Sequence, residues 1–268
     1  MECYNALECA IMLTTEQLSA AASIGISGKG AVGKEQLAGH LAPILDMVVI
    51  NTGKAARAAS VLAHECGMVE GGRAGAMRLR PGAAERIRDW ATMGSSGLHF
   101  KVIPRDLSAH IFFDDRDMTA VIQPKRYGYS RLAILEPTAV LIATTPVIRK
   151  GLYDLWRRAS IQVGGGIMIT KNIDAYLPEA HARYHLFVTD PRVSAGYRLM
   201  RGNAATGSFA DELKYLRRRD ANHEQNGLEV IPTNAMSIDM TNRLLWHKGI
   251  GEAAAIVLAD LPNRIVKR

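Results

Sequence analysis

The sequence predicts an α/β fold with a mainly parallel sheet. Three features carry that expectation. Apolar runs of strand length alternate along the chain with stretches whose apolar residues recur at three- and four-residue steps. One of these strands leads into a glycine-rich turn and straight on into a helix, which is half of a βαβ unit. No segment repeats, so a solenoid or propeller is not expected.

Residues 1–22 read as an appendage of mixed character. Ser23-Ile24-Gly25-Ile26-Ser27 is the first strand, Gly28-Lys29-Gly30-Ala31-Val32-Gly33 the turn, and Lys34 to Leu41 has helical spacing. Met47-Val48-Val49-Ile50 is a second apolar run, followed by Asn51-Thr52-Gly53, where Thr52 is the expected helix cap. Ala55, Ala58, Ala59 and Leu62 then mark the buried side of a helix reaching Cys66. Gly71 to Arg80 is glycine- and arginine-rich, and a helix is expected from Pro81 through Trp90. His99 to Ile103 and His110 to Phe113 read as strands of a small insert, with Asp114-Asp115 as the turn after the second.

Helical spacing returns from Pro146 to Ser160, with Ile148, Leu152 and Leu155 on one face. Gly164-Gly165-Gly166 introduces the strand Ile167-Met168-Ile169, and Tyr184 to Val188 is a further strand. Thr189-Asp190-Pro191 marks a helix start, where proline is tolerated. Arg198 to Ala221 carries most of the late charge, Met236 to Asp239 is the last strand, and Asn242 to Leu258 the last expected helix. The domain reading is a core over 23–98 and 138–268, an insert over 99–137, and the 22-residue appendage.

Of 268 residues, 48% are apolar and 22% charged, which excludes wholesale disorder and supplies a real core. No uncharged apolar run approaches membrane-spanning length, so no membrane association is expected. Met1 to Leu13 holds Glu2 and Glu8 and no basic residue, which fits neither a secretory signal nor a transit peptide. Cys3, Cys9 and Cys66 are too few and too widely spaced for a zinc site or a disulfide framework, so a cytoplasmic location is expected. The net charge of +7 favours anionic partners. The bases are nevertheless spread out, and Arg217-Arg218-Arg219, followed at once by Asp220, reads as a solvated helix face. Nucleotides qualify as such partners as well as DNA does, and the spread of the bases counts against nucleic acid.

The main chemical signal is Gly28-x-x-x-x-Gly33-Lys34, placed between a strand and a helix. Glycines let backbone N–H groups converge on a phosphate, the helix N-terminus adds partial positive charge, and lysine reaches the terminal phosphates. Such a loop usually supplies a hydroxyl to magnesium just after the lysine; here Glu35 and Gln36 follow. His110 and His185 lie in apolar strands and read as structural, and no Ser/His/Asp or HExxH pattern occurs.

The order of landmarks over roughly 23–258 resembles the cytidylate kinases among the nucleoside monophosphate kinases. Thr52-Gly53-x-x-x-Arg57, eighteen residues after Lys34, is similar to the family's acceptor helix start. Arg116-Asp117-Met118-Thr119-x-x-Ile122-Gln123 resembles its glu-asp-val-thr element, and Pro146-Val147-Ile148-Arg149 its pro-x-val-arg helix. Gly164 to Ile173, Leu177-Pro178-Glu179-Ala180, Asp190-Pro191-Arg192-Val193, Arg219-Asp220 and Ser237 to Thr241 follow in the family's order.

The resemblance implies a P-loop three-layer fold with an acceptor-binding insert and a helical lid over about 192–218, as a monomer. It implies ATP phosphates held by Gly28, Lys29, Gly30, Ala31, Val32, Gly33, Lys34, Glu35 and Gln36, with magnesium as the accompanying ion. Lys34, Arg198 and Arg219 are its catalytic positions, and Thr52, Arg57, Gln123, Lys171, Asn172, His223 and Asn226 its acceptor-binding positions. The departures fall on the chemistry. Gln36 replaces the magnesium hydroxyl and Lys171 an arginine, while Gln123, Asn172, His223 and Asn226 replace arginine, aspartate, aspartate and arginine. In the lid, Ser194, Gly196 and Tyr197 stand where arginines are usual, leaving Arg198. Arg192, Arg201, Arg217 and Arg218 are candidates to re-aim, and Asp174 to take a metal role. Two expectations follow: a phosphotransferase with an altered nucleoside monophosphate or related phosphorylated acceptor, or a catalytically impaired pseudokinase that binds nucleotide or a partner.

Overall fold

A computed structural model describes residues 23–71, 77–103, 107–122, 135–176, 180–200, 207–228, 230–244 and 248–265. Its strands are β1 (Ser23–Gly28), β2 (Val49–Asn51), β3 (Val69–Gly71), β4 (Met77–Leu79), β5 (Leu98–Ile103), β6 (Ser108–Phe113), β7 (Arg116–Asp117), β8 (Gly166–Ile169), β9 (Ala182–Phe187) and β10 (Met236–Asp239). Its helices are α1 (Lys34–Leu45), α2 (Thr52–Glu65), α3 (Ala83–Thr92), α4 (Met118–Val121), α5 (135–144), α6 (Pro146–Gln162), α7 (Ile173–Tyr176), α8 (Pro191–Met200), α9 (Phe209–Gln225) and α10 (Gly249–Ile265). The fold is α/β with a mainly parallel sheet, as the alternating pattern predicts. The described residues fall into two units, one within 23–50, 107–108 and 160–265, the other within 51–103 and 109–159.

In the first unit the strands run in the order β10-β9-β1-β8-β2. β1 pairs in parallel with β8 and with β9, and β9 in parallel with β10. All six β1 residues are buried, as a central parallel strand covered on both faces requires. Ile24 and Ile26 share one face, where they join Ile167, Ile169, Tyr184, Leu186 and Ile238 in the core. α1 contributes Leu37, Ala38, Leu41, Ala42 and Leu45, and α10 contributes Ala253, Ala254, Val257, Leu258 and Leu261. Both sets follow the helical repeat that makes one face apolar. On the other side of β1, Gly25 leaves room for Ile173, whose atoms lie 2.8 Å from where a Cβ would stand.

The second unit buries Ala55, Ala58, Ala59 and Leu62 of α2, Ile87, Trp90 and Ala91 of α3, and Ile148, Leu152 and Leu155 of α6. β6 turns through Asp114 and Asp115 into β7, with Phe113 opposite Arg116, so the expected turn is present. The Thr119 hydroxyl accepts from the Ile111 N–H at 2.8 Å, and His110 lies 3.3 Å from the Asp117 carboxylate.

Three local expectations change. Asn51, not Thr52, caps α2: its side-chain oxygen accepts from the Gly53 N–H at 3.0 Å, and Thr52 is already the first helical residue. Asparagine is among the best caps, so ending β2 at Asn51 satisfies the helix without Thr52. Within the glycine- and arginine-rich stretch, β3 and β4 form an antiparallel pair with Glu70 opposite Arg78. The last helix starts at Gly249, not Asn242, because Arg243 and Leu244 close a turn onto the Met240 carbonyl. A side chain at Gly249 would meet the Arg243 carbonyl at 2.1 Å, so the close approach fixes glycine there. The helix over 135–144 precedes the one expected from Pro146.

Ile26 is fully buried and Ile44, on the outer side of α1, is 43% exposed. Ile26→Ala is expected to cost about 2–5 kcal/mol, and Ile44→Ala within about 0.5 kcal/mol. Urea denaturation of both variants checks this, and equal losses would contradict the assignment of the core.

Candidate functional site

Gly28 ends β1 with φ of 133°, Ala31 has φ of 66°, and Gly33 has φ of 88° immediately before α1. A Cβ at Gly28 would stand 2.1 Å from the Leu186 carbonyl oxygen, and one at Gly33 would meet Leu244 at 2.8 Å. Both positions therefore require glycine on space as well as on backbone angle. No side chain caps α1, whose first turn opens toward the loop. The Lys34 ammonium folds back and donates to the Gly28 and Lys29 carbonyls. Left-handed residues in a tight loop are the backbone form in which successive N–H groups turn to a common side.

One face of α9 brings further charge to this loop. Glu212, Tyr215, Arg219 and His223 are three or four residues apart, so they stack along a single stripe. The Arg219 guanidinium sits on Gly30, its Nη2 2.1 Å from where a Cβ would be. Nε and Nη2 of Arg219 both donate to Asp220 Oδ1, at 3.1 and 2.9 Å. Glu224 pairs with Lys29 of the loop. Lys171, which follows β8, donates its ammonium hydrogen to His223 Nδ1, so that nitrogen acts as an acceptor. His223 is buried at 6% exposure and Lys171 is half-buried, so the contact is partly open to solvent.

The structure thus seats Arg219 on Gly30 of the loop that carries Lys29 and Lys34, and joins Lys171 with His223. It places other expected residues differently. Arg198 on α8 holds Glu212 at 2.5 Å, and that carboxylate is fully buried. Asn172 donates its backbone N–H to the Thr170 hydroxyl at 3.3 Å, and Asn226 is exposed just beyond α9. Asp174 accepts from Arg183 at 2.7 Å and from the Thr233 N–H at 2.9 Å, which ties α7 to its neighbours. Glu35 is exposed and Gln36 half-buried on the first turn of α1. Thr52 and Arg57 lie on α2 in the second unit, and Gln123 and Arg201 lie outside the described residues.

At the same end of the parallel strands, the loops after β9 and β10 are tied together. Thr241 accepts from the Thr189 N–H at 2.9 Å and donates its hydroxyl to Asp239 at 2.6 Å. The Thr241 hydroxyl and N–H hold the Asp239 carboxyl below its ordinary range. The Arg192 side chain and N–H do the same for Asp190 at the start of α8. Below the loop, the buried Ser27 hydroxyl meets His185 Nδ1 at 2.9 Å, which fits the structural reading of that histidine.

Sequence reasoning missed Glu212, Tyr215 and Glu224. The stripe spacing on α9 was readable, but nothing local marks Glu212 as buried within a highly charged helix. Among the described residues no group of three metal-ligating side chains gathers, and Cys66 is a free, exposed thiol. No described helix is long and apolar enough to cross a membrane. No protein-family model matches the chain, and no curated protein sequence matches it.

Gly30 differs from Gly28 and Gly33 in that its φ is not positive, and the nearest atoms a side chain would meet are the flexible end of Arg219. Gly30→Ala is therefore expected to displace Arg219 at a stability cost within about 1 kcal/mol, while Gly28→Ala costs about 1–3 kcal/mol or more through strain. Thermal melts check the order of the two, and an equally severe Gly30→Ala would contradict it. Asp239 supplies a pH test. Its native value lies below the unfolded value, so its contribution is complete above about pH 3.9 and is lost as pH falls through the native value. Thr241→Val is expected to move the Asp239 titration upward in carboxyl NMR; an unmoved titration would assign the depression elsewhere.

Proposed function

We propose that the protein is a P-loop phosphotransferase of the nucleoside monophosphate kinase type, which takes the ATP γ-phosphoryl group and passes it to a phosphorylated acceptor. The observation that carries this reading is the Arg219 guanidinium seated on Gly30, in a loop whose Lys34 ammonium closes onto its carbonyls. A glycine turn between a buried parallel strand and an uncapped helix start suits polyphosphate. The C-terminal ends of parallel strands are where α/β sheets bind ligands.

In this reading the loop N–H groups and Lys34 hold the β- and γ-phosphates. Lys34 would exchange its carbonyl partners for phosphate oxygens. An acceptor phosphate oxygen forms the new bond to the γ-phosphorus while the bond to the bridging oxygen breaks and ADP leaves. Arg219 neutralises the charge spread over the transferring group, and Lys171, oriented by His223, holds the acceptor phosphate. A phosphate acceptor needs no strong general base.

The surroundings of the loop fit phosphate better than magnesium. Glu35 and Gln36 stand where the metal's hydroxyl ligand is usual, and the Asp174 carboxylate is engaged by Arg183 and Thr233. Gln36 also favours a second reading, in which the loop binds nucleotide without turnover.

Calorimetry with ATP, with and without magnesium, followed by turnover against a nucleoside monophosphate panel, tests both. Lys34→Ala is expected to lose ATP binding by at least about tenfold, and Arg219→Ala to lower turnover by about 10³-fold or more. Binding without transfer to any acceptor would select the second reading. Failure to bind ATP at millimolar concentration would remove both.

A further inference from the structure

Two guanidiniums approach the same aromatic ring. The Cζ of Arg198, from α8, lies 5.6 Å from the Tyr215 ring centroid, and the Cζ of Arg219, from α9, lies 5.9 Å from it. Both distances fall within the range where a ring's negative face attracts a cation. Neither arginine is a surface group, since their side chains are 15% and 9% exposed. Arg198 is also fixed at its Nε by the fully buried Glu212, one turn before Tyr215 on the same stripe. Two like charges gathered on one ring repel unless something offsets the repulsion. The ring, with Glu212 on one arginine and Asp220 on the other, supplies that offset.

Resting on the phosphate-binding reading above, we infer that Tyr215 is a positioning residue that holds Arg198 and Arg219 as one two-guanidinium clamp for the polyphosphate chain. Arg219 already sits on the loop at Gly30. Tyr215 links that contact to Arg198, which belongs to a different helix. The ion pair with Glu212 then anchors Arg198 and does not retire it: a fully buried carboxylate 2.5 Å from Nε keeps the guanidinium beside it. Tyr215 acts through the arginines and has no reacting atom of its own.

The experiment is calorimetry of the full chain with ATP and, separately, with inorganic tripolyphosphate, for the wild type, Tyr215→Phe and Tyr215→Leu. Phenylalanine keeps the ring face and leucine keeps only apolar bulk. The expected result is affinity within about twofold of wild type for Tyr215→Phe, and a loss of about tenfold for Tyr215→Leu with both ligands. A role in packing alone would lower the melting temperature of Tyr215→Leu and leave its binding unchanged, and that outcome overturns the inference.

Where Tyr215→Leu does not fold, a cycle of Arg198→Lys and Arg219→Lys leaves the ring in place and keeps the charge facing Glu212. A clamp predicts that the double variant loses little more than either single one. Losses that simply multiply show two independent arginines and overturn the inference. A wild type that binds tripolyphosphate while the variants match it removes the clamp and leaves the phosphate reading standing. A wild type that binds neither ligand removes both.

Discussion

β1 has no face and no edge in water, and most of what surrounds the loop follows from that constraint. A strand with parallel neighbours on both sides must satisfy its backbone through β8 and β9, and must bury the side chains of both its faces. Ile24 and Ile26 fill one layer, and on the other Gly25 admits Ile173. At Gly28 the Leu186 carbonyl comes so close that no side chain is possible, and the chain must leave the sheet there. The loop is where a strand locked on both sides is released. Its glycines answer to the packing of β9 and of the turn after β10 as much as to any ligand.

The charge around the loop is arranged by one helix. α9 supplies Asp220 to Arg219, Glu224 to Lys29, His223 to Lys171 and Glu212 to Arg198. In this state the cations of the site have protein partners, so an incoming anion exchanges partners and does not fill a bare positive hole. The exposed exchange, at Lys29 and Glu224, is between groups about half open to solvent and costs little. The buried one, at Glu212, is the reverse: a carboxylate with no access to water keeps its arginine, because separation would strand a charge in the interior.

Local chemistry was legible in the sequence wherever a pattern lies within about ten residues. The glycine turn between β1 and α1, the alanine face of α2, the stripe of Ile148, Leu152 and Leu155, and the strand from Met236 to Asp239 are all of that kind. β3 and β4 were not legible, because strands of three residues offer no alternation to read. The start of the last helix was misread for a different reason. Asn242 to Leu244 has helix-compatible residues, and the bonds from Arg243 and Leu244 to the Met240 carbonyl, with Leu244 and Met240 against Gly33, form a turn there instead. The site divides in the same way. Gly28 to Lys34 could be read directly, and the family resemblance offered Lys171, Arg219 and His223. The seat of Arg219 on Gly30 and the burial of Glu212 are contacts across long stretches of chain, which no local pattern encodes.

The central strand is also the earliest described part of the chain, while its neighbours begin at Gly166 and Ala182. Ribosomal synthesis at about 5–20 residues per second leaves Ser23–Gly28 without either neighbour for roughly 7–28 s. Through that interval the apolar face of Ile24 and Ile26 has α1 to cover it but neither of its partner strands. Gly33 waits longer still, since Leu244 and Ile250, which close over it, are among the last described segments to leave the ribosome. The strand around which this part of the sheet is built is thus made well before the two strands that pair with it.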